Sequence, residues 1–159
     1  MKDILVILEQ NAKATPEEIS EITKHTLEEV KEVIAQAERD KTIIKYKAVV
    51  NWDHLGEQEV IAVVELRVTP QREVGFDGIA KRIARFPEVR SLHLMSGSYD
   101  LSVMLAGKTM QEVANFVAVK LAVLEGVQGT TTHFLLKRFK EDGVILDRER
   151  GDKRLPLAL

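Results

Sequence analysis

The chain reads as an α+β protein: a small helix-turn-helix unit followed by a βαββαβ unit. Three observations point there. The first forty residues carry helical periodicity with two threonine-led start signals. From Glu59 onward the apolar period changes from 3.6 to 2. Two strand-like runs flank Ser96-Gly97-Ser98, and two further apolar patterns of helical spacing separate the strands.

In order, Ile4, Leu5, Ile7 and Leu8 make residues 3–10 a short amphipathic helix. Thr15-Pro16-Glu17-Glu18 opens a second helix, with Thr15 as N-cap, Pro16 in the first turn and Glu18 as the reciprocal cap. Ile19 and Ile22 are its apolar contacts, and Thr23-Lys24-His25 breaks it. Thr26 and Glu29 repeat the capping logic. Leu27, Val30, Val33, Ile34 and Ala37 then line one face as far as about Arg39. Three short helices with a tight turn between the last two form a helix-turn-helix pattern. Ile43 to Val50 is expected as a strand, a wing or an exit from the small domain, which makes the unit a winged helix-turn-helix.

Asn51-Trp52-Asp53-His54-Leu55-Gly56 reads as a connector, with the single tryptophan packing at the junction. Val60 to Val68 is a strand, apolar on both faces at its start. Phe76, Ile79, Ile83 and Phe86 share a helical face that Pro87 closes. The hairpin follows: Val89, Ser91, His93 and Met95 alternate with Arg90, Leu92 and Leu94, and beyond the break Leu101, Val103 and Leu105 alternate with Ser102 and Met104. Gly97 supplies the positive φ that such a turn needs. Met110, Val113, Ala114, Val117, Leu121 and Leu124 define a last helix, stopped by Gly126. Val127 to Phe139 returns to strand. The order is the ferredoxin-like βαββαβ arrangement.

In that topology both helices cover one sheet face. The other should be polar in a monomer. Here the first strand and the hairpin offer apolar residues to both faces, so a second copy packed sheet to sheet is expected, giving a homodimer.

Composition excludes several classes. The 159 residues are 45% hydrophobic and 30% charged, which supports a packed core and argues against disorder. No apolar run approaches the 18 residues or so of a spanning helix, so no membrane role is expected. Met1-Lys2-Asp3-Ile4 lacks a signal-peptide pattern. There is no cysteine, hence no disulfide and no thiolate ligand or nucleophile. A cytoplasmic location fits. The four histidines, His25, His54, His93 and His133, fall on unlike elements without metal-ligand spacing, although His93 could face His133 across the sheet. Ser96-Gly97-Ser98 lacks the glycines of a nucleophile elbow. No phosphate loop or dinucleotide fingerprint occurs. No catalytic residue, metal or cofactor is expected.

Asp100 sits beside the Gly97 turn. A carboxylate there could receive a ligand's ammonium while turn N–H groups receive its carboxylate. The plain alternative is that Asp100 only stabilises the turn.

Jointly these features resemble the leucine-responsive/asparagine-responsive (Lrp/AsnC) transcriptional regulators. Phe86-Pro87-Glu88-Val89 is similar to that family's F-P-E-V. Ser96-Gly97-Ser98-Tyr99-Asp100 is similar to its [ST]-G-x-[YF]-D turn. Leu124-Glu125-Gly126-Val127 with Thr130-x-Thr132 is similar to its L-P-G-V…T-x-T segment, Glu125 replacing the proline. The resemblance implies a ligand-responsive DNA-binding regulator sensing an amino acid or related metabolite, with dimers that often assemble into octamers. It implies effector contacts from Gly97, Tyr99, Asp100, Thr130 and Thr132; for the threonines, β-branched strand filler is the alternative. The expected parts are a DNA-binding domain at 1–50, a linker at 51–57, an effector-binding and oligomerisation domain at 58–140 and a tail at 141–159, whose charge run Arg148–Arg154 reads as solvated.

The first domain departs from the pattern. Residues 1–56 hold eight basic and eleven acidic side chains. Glu28, Glu29, Glu32 and Glu38 outnumber Lys31 and Arg39 on the third helix. Phosphate neutralisation supplies much of DNA affinity, so this balance opposes binding, although Glu can accept from cytosine N4. Lys24, His25, Thr26 and Lys31 are the groove-side candidates, with Lys45 and Lys47 on the wing. Lys41 stands where the family has glycine after this helix; a left-handed conformation there would cost about 1 kcal/mol. Two alternatives remain: a metabolite sensor without DNA binding that acts through a partner protein, and a ferredoxin-fold enzyme.

Overall fold

The computed structural model describes residues 1–52, 56, 59–72 and 74–146. Residues 53–55 of the connector, His54 among them, and the charge run Arg148–Arg154 lie outside the described residues. The chain divides into two compact units, Met1–Val50 and Asn51–Leu159.

The first unit is three helices: α1 (Lys2–Gln10), α2 (Pro16–Thr23) and α3 (Leu27–Arg39). Both expected capping boxes form. The Thr15 N–H donates to Glu18 Oε2 at 2.9 Å and the Glu18 N–H to Thr15 Oγ1 at 3.2 Å. Thr26 and Glu29 repeat this at 2.8 and 3.2 Å. These bonds satisfy amides that a helix start leaves orphaned. They also hold the Glu29 carboxyl below its usual range, through the Thr26 backbone first and its hydroxyl second. Lys24 ends α2 in the left-handed region at φ 63°, which turns the chain into α3. Ile4, Leu8, Ile19 and Val30 form the core, with Ile7, Ala14, Val33, Ile34 and Ile43 packed against them.

The expected wing is absent. Residues 44–50 pair with no strand among the described residues. Their β-branched composition favours extended backbone, but a strand exists only by pairing, and this unit offers no edge. Lys41 takes φ 64°, as its place after α3 requires.

In the second unit β1 (Val60–Val68), α4 (Asp77–Ile83), β2 (Val89–Leu94), β3 (Leu101–Gly107), α5 (Met110–Phe116) and β4 (Val127–Phe134) realise the βαββαβ order. The antiparallel sheet has strand order β2-β3-β1-β4. Ala62, Val64, Leu66 and Val68 alternate inward from β1 and meet Leu101, Val103 and Leu105 of β3. Ile79, Ile83, Val113, Phe116 and Leu121 close this core from the helical side. Phe86 and Phe116 meet edge to face at 5.3 Å.

Three details depart from simple periodicity. A register shift between Val89 and Ser91 places Val89 opposite Leu105 and Leu92 opposite Val103. Both residues therefore pack on the helix side, correcting the expectation that they oppose each other. The last helix ends its α-helical part at Phe116 and continues as a π-turn, Val117–Leu121, closed by the Ala122 N–H donating to the Val117 carbonyl at 2.8 Å. That turn keeps Val113, Phe116, Val117 and Leu121 all buried. Beyond β4, the start of the expected tail carries a small hairpin, β5 (Lys140–Glu141) with β6 (Val144–Ile145).

The open sheet face is divided. Ile61, Val63, Met104 and Ala106 make one end apolar. Glu65, Arg67, Ser102, His93 and Thr131 make the hairpin end polar. His93 and His133 sit on opposite edge strands with two strands between them, so they do not face one another.

Candidate functional site

The hairpin turn is built as its residues dictate. Gly97 takes φ 139°, and a side chain there would meet nothing within 4 Å. Glycine is therefore needed for backbone conformation, not for space. Asp100 is bound three ways: its N–H donates to the Leu66 carbonyl at 2.9 Å, its carbonyl accepts from the Met95 N–H at 2.8 Å, and its Oδ2 accepts from the Val68 N–H at 2.7 Å. That last bond sits where the β1–β4 register shifts, between Arg67 and Val68. A bulge leaves ladder donors unpaired, and Asp100 supplies the missing acceptor.

Beside the turn lies a polar pocket of about 170 Å³ lined by Glu65, Arg67, Ser98, Tyr99, Gly129 and Thr131. Glu65 and Arg67, two apart on β1, share the open face. Gly129 stands opposite Arg67. A Cβ on Gly129 would lie 3.3 Å from Arg67 Nη2, so glycine lets the guanidinium lie close against β4. Glu65 Oε1 is 3.4 Å from His133 Nε2. The pocket thus offers one carboxylate, one guanidinium and hydroxyl groups within a small volume.

Of the expected effector contacts, Tyr99 lines this pocket; Gly97 and Asp100 shape the turn beside it. Thr130 and Thr132 pair with the buried Leu66 and Val64 and so face the helix-covered side, while Thr131 faces the pocket. Glu65, Arg67, Ser98, Gly129 and Thr131 escaped the sequence reading. A signal existed: Glu65 and Arg67 are the only polar interruptions of Val60–Val68, at strand spacing.

In the first unit, Lys24, His25 and Thr26 are consecutive between α2 and α3, and Lys31 lies on the exposed side of α3. His25 Nε2 lies 2.9 Å from Asp3 Oδ2, tying α1 to the turn. The Thr26 hydroxyl accepts from the Glu29 N–H. Lys31 Nζ is 3.9 Å from Glu17, and Arg39 is bonded to Glu32 at 2.7 Å. Lys45 lines a groove against α1, and Lys47 follows in the extended segment. Among the described residues no group of three or more metal-ligating side chains occurs, and no helix is long and apolar enough to cross a membrane.

Known proteins bear on this geometry. Residues 61–145 match the family model of the Lrp/AsnC ligand binding domain. The chain is 46% identical over 157 residues to the uncharacterized HTH-type transcriptional regulator YugG of Bacillus subtilis, covering 98% of this chain and 95% of that one. It is 31% identical over 140 residues to the HTH-type transcriptional regulator FL11 of Pyrococcus furiosus, covering 88% and 89%. The crystal structure of the transcriptional regulator NMB0573 of Neisseria meningitidis, a complex with L-Met, shares the fold at TM-score 0.69 and 22% identity, over 87% of this chain and 89% of that one. These relatives are named as regulators, not enzymes. Family model, relatives and architecture agree: the chain belongs to the Lrp/AsnC family, as an HTH-type transcriptional regulator with an Lrp/AsnC ligand-binding domain.

Proposed function

We propose that this regulator senses a small amino acid in the pocket beside the hairpin turn. The observation that carries the reading is the placement of Glu65 and Arg67 on one face at strand spacing, with Tyr99 and Thr131 beside them. Glu65 takes the α-ammonium and Arg67 the α-carboxylate, each through a charge-assisted bond. Asp100 acts through Val68 as a positioning residue for the neighbouring Arg67, and Gly97 sets the turn that presents Tyr99. Thr130 and Thr132 support the strand that carries Thr131. The L-Met complex of NMB0573 supports an amino acid as the ligand class. Calorimetry against the common amino acids tests the proposal. Saturable binding of at least one small member is expected; binding of none removes the effector reading.

The apolar end of the open sheet face, with Ile61, Val63 and Met104, supports a homodimer through the 58–140 domain and gives octamers a building block. Val63→Glu should convert the dimer to monomer in sedimentation. An unchanged species would place the interface elsewhere.

The 1–50 domain binds DNA through the Lys24–Thr26 turn and Lys31, with Lys45 and Lys47 beyond α3. The second reading, a sensor acting through a partner protein, is favoured by the acids that hold Lys31 and Arg39. A salt titration of binding to duplex DNA separates the two. A steep loss with salt supports DNA contact, and absence of binding at low salt supports the partner.

A further inference from the structure

We propose that the ligand-binding domain carries a separate small-molecule site at the Trp52 end of the sheet, taking an organic cation with N–H donors, an amine or a guanidine. β3 separates the two places: the hairpin turn precedes Leu101, while this cavity gathers around Ala106–Lys108. Seven strand residues put about 20 Å between them. The cavity has a volume of about 590 Å³.

Its walls are chemically specific. Trp52, 42% exposed, offers an aromatic face. Glu88 lies on the wall just before β2, its carbonyl held by the Ala106 N–H at 3.1 Å. Among the described residues its Oε2 is screened from solvent and has no hydrogen-bond partner. Glu88 also lines an inner recess of about 40 Å³ that reaches Val113 and Phe116. Of the cationic side chains on the wall, Arg90 is bonded to Glu59, while the Glu112 carboxylate is held by the backbone N–H of Lys108, which donates to Oε2 at 2.8 Å.

A desolvated carboxylate oxygen without a donor is costly, and a native protein rarely retains one without a use. What this oxygen lacks is a donor, and the wall's own cations do not bond to it. Among the described residues three carboxylates stand against two cations around the cavity, so its charge favours a cation over an anion. The indole adds cation–π attraction to the same class of ligand. A primary amine or guanidine satisfies Glu88 and the indole together; a quaternary ammonium has no N–H for Glu88.

Calorimetry of the full chain with agmatine tests the site, with Trp52, the only tryptophan, as a fluorescent reporter. Saturable binding at about millimolar concentration is expected. Glu88→Gln should weaken it roughly tenfold or more, and Glu65→Gln should leave it unchanged. Should Glu88→Gln fail to fold by circular dichroism, Trp52→Leu replaces it and should weaken binding in calorimetry. No saturable heat, the same response to sodium chloride at equal ionic strength, undiminished binding in the folded variant, or loss in Glu65→Gln would each overturn the proposal. The amino-acid pocket stands or falls separately, since its variants and ligands differ.

Discussion

Asp100 Oδ2 accepts the backbone N–H of Val68 at 2.7 Å, joining the residue after the hairpin turn to the β1 bulge next to Arg67. The half-buried carboxylate closes a gap in the ladder. The turn-stabilising role is therefore built into the geometry.

Asp100→Ala leaves the Val68 N–H without its acceptor and should destabilise the protein by about 1–3 kcal/mol. Asp100→Asn keeps an acceptor and should recover most of that loss. Urea denaturation of both variants checks this. Equal losses would mean that charge, not hydrogen bonding, matters at this position.

Glu65→Gln and Arg67→Ala should each weaken amino-acid binding by roughly ten- to a hundredfold, the loss of one charge-assisted bond. Both side chains are on the open face, so folding should persist. Calorimetry with circular dichroism as control separates the effects. Undiminished affinity in both variants would move the site away from this pocket.

Lys24→Ala with Lys31→Ala should weaken DNA binding irrespective of sequence. Two lost phosphate contacts should reduce the salt slope by about 2 per protomer. An unchanged slope would show that this face does not lie at the phosphates.

Lys41 occupies the left-handed region at φ 64°. Lys41→Gly relieves the steric cost while adding unfolded-state entropy, for a net gain of up to about 1 kcal/mol. Thermal denaturation reads it. A loss of stability would mean that the lysine side chain makes contacts worth more than the strain.

The Asp3 carboxyl is lowered to about 2 from 3.8, by the terminal ammonium first and by His25 second. A depressed carboxylate stabilises the fold above its unfolded value, and that contribution fades as pH falls from about 4 to 2. An NMR titration should find the low value, and His25→Ala should raise it. A titration near 3.8 in the intact protein would show that neither bond persists in solution.

Local chemistry made much of this protein legible in the sequence. Thr15, Pro16, Glu18, Thr26 and Glu29 announce helix starts because capping involves residues only three apart. The change to period two at Glu59 announces the sheet, and Gly97 announces its turn. The motifs Phe86–Val89, Ser96–Asp100 and Leu124–Val127 with Thr130 and Thr132, taken jointly, suggest the family. Tertiary structure decided the rest. Whether residues 44–50 form a strand depends on a partner that the sequence cannot display. Which of Thr130, Thr131 and Thr132 faces the pocket depends on the register against β1, where a slip of one residue exchanges the faces. Val89 and Leu92 share a face only through a bulge. The pocket itself joins Glu65 and Arg67 to Tyr99 and Thr131, residues far apart in the chain, because strand pairing brings them together. Spacing along the chain determines helices and turns; pairing across it determines faces, and the candidate site is made of faces.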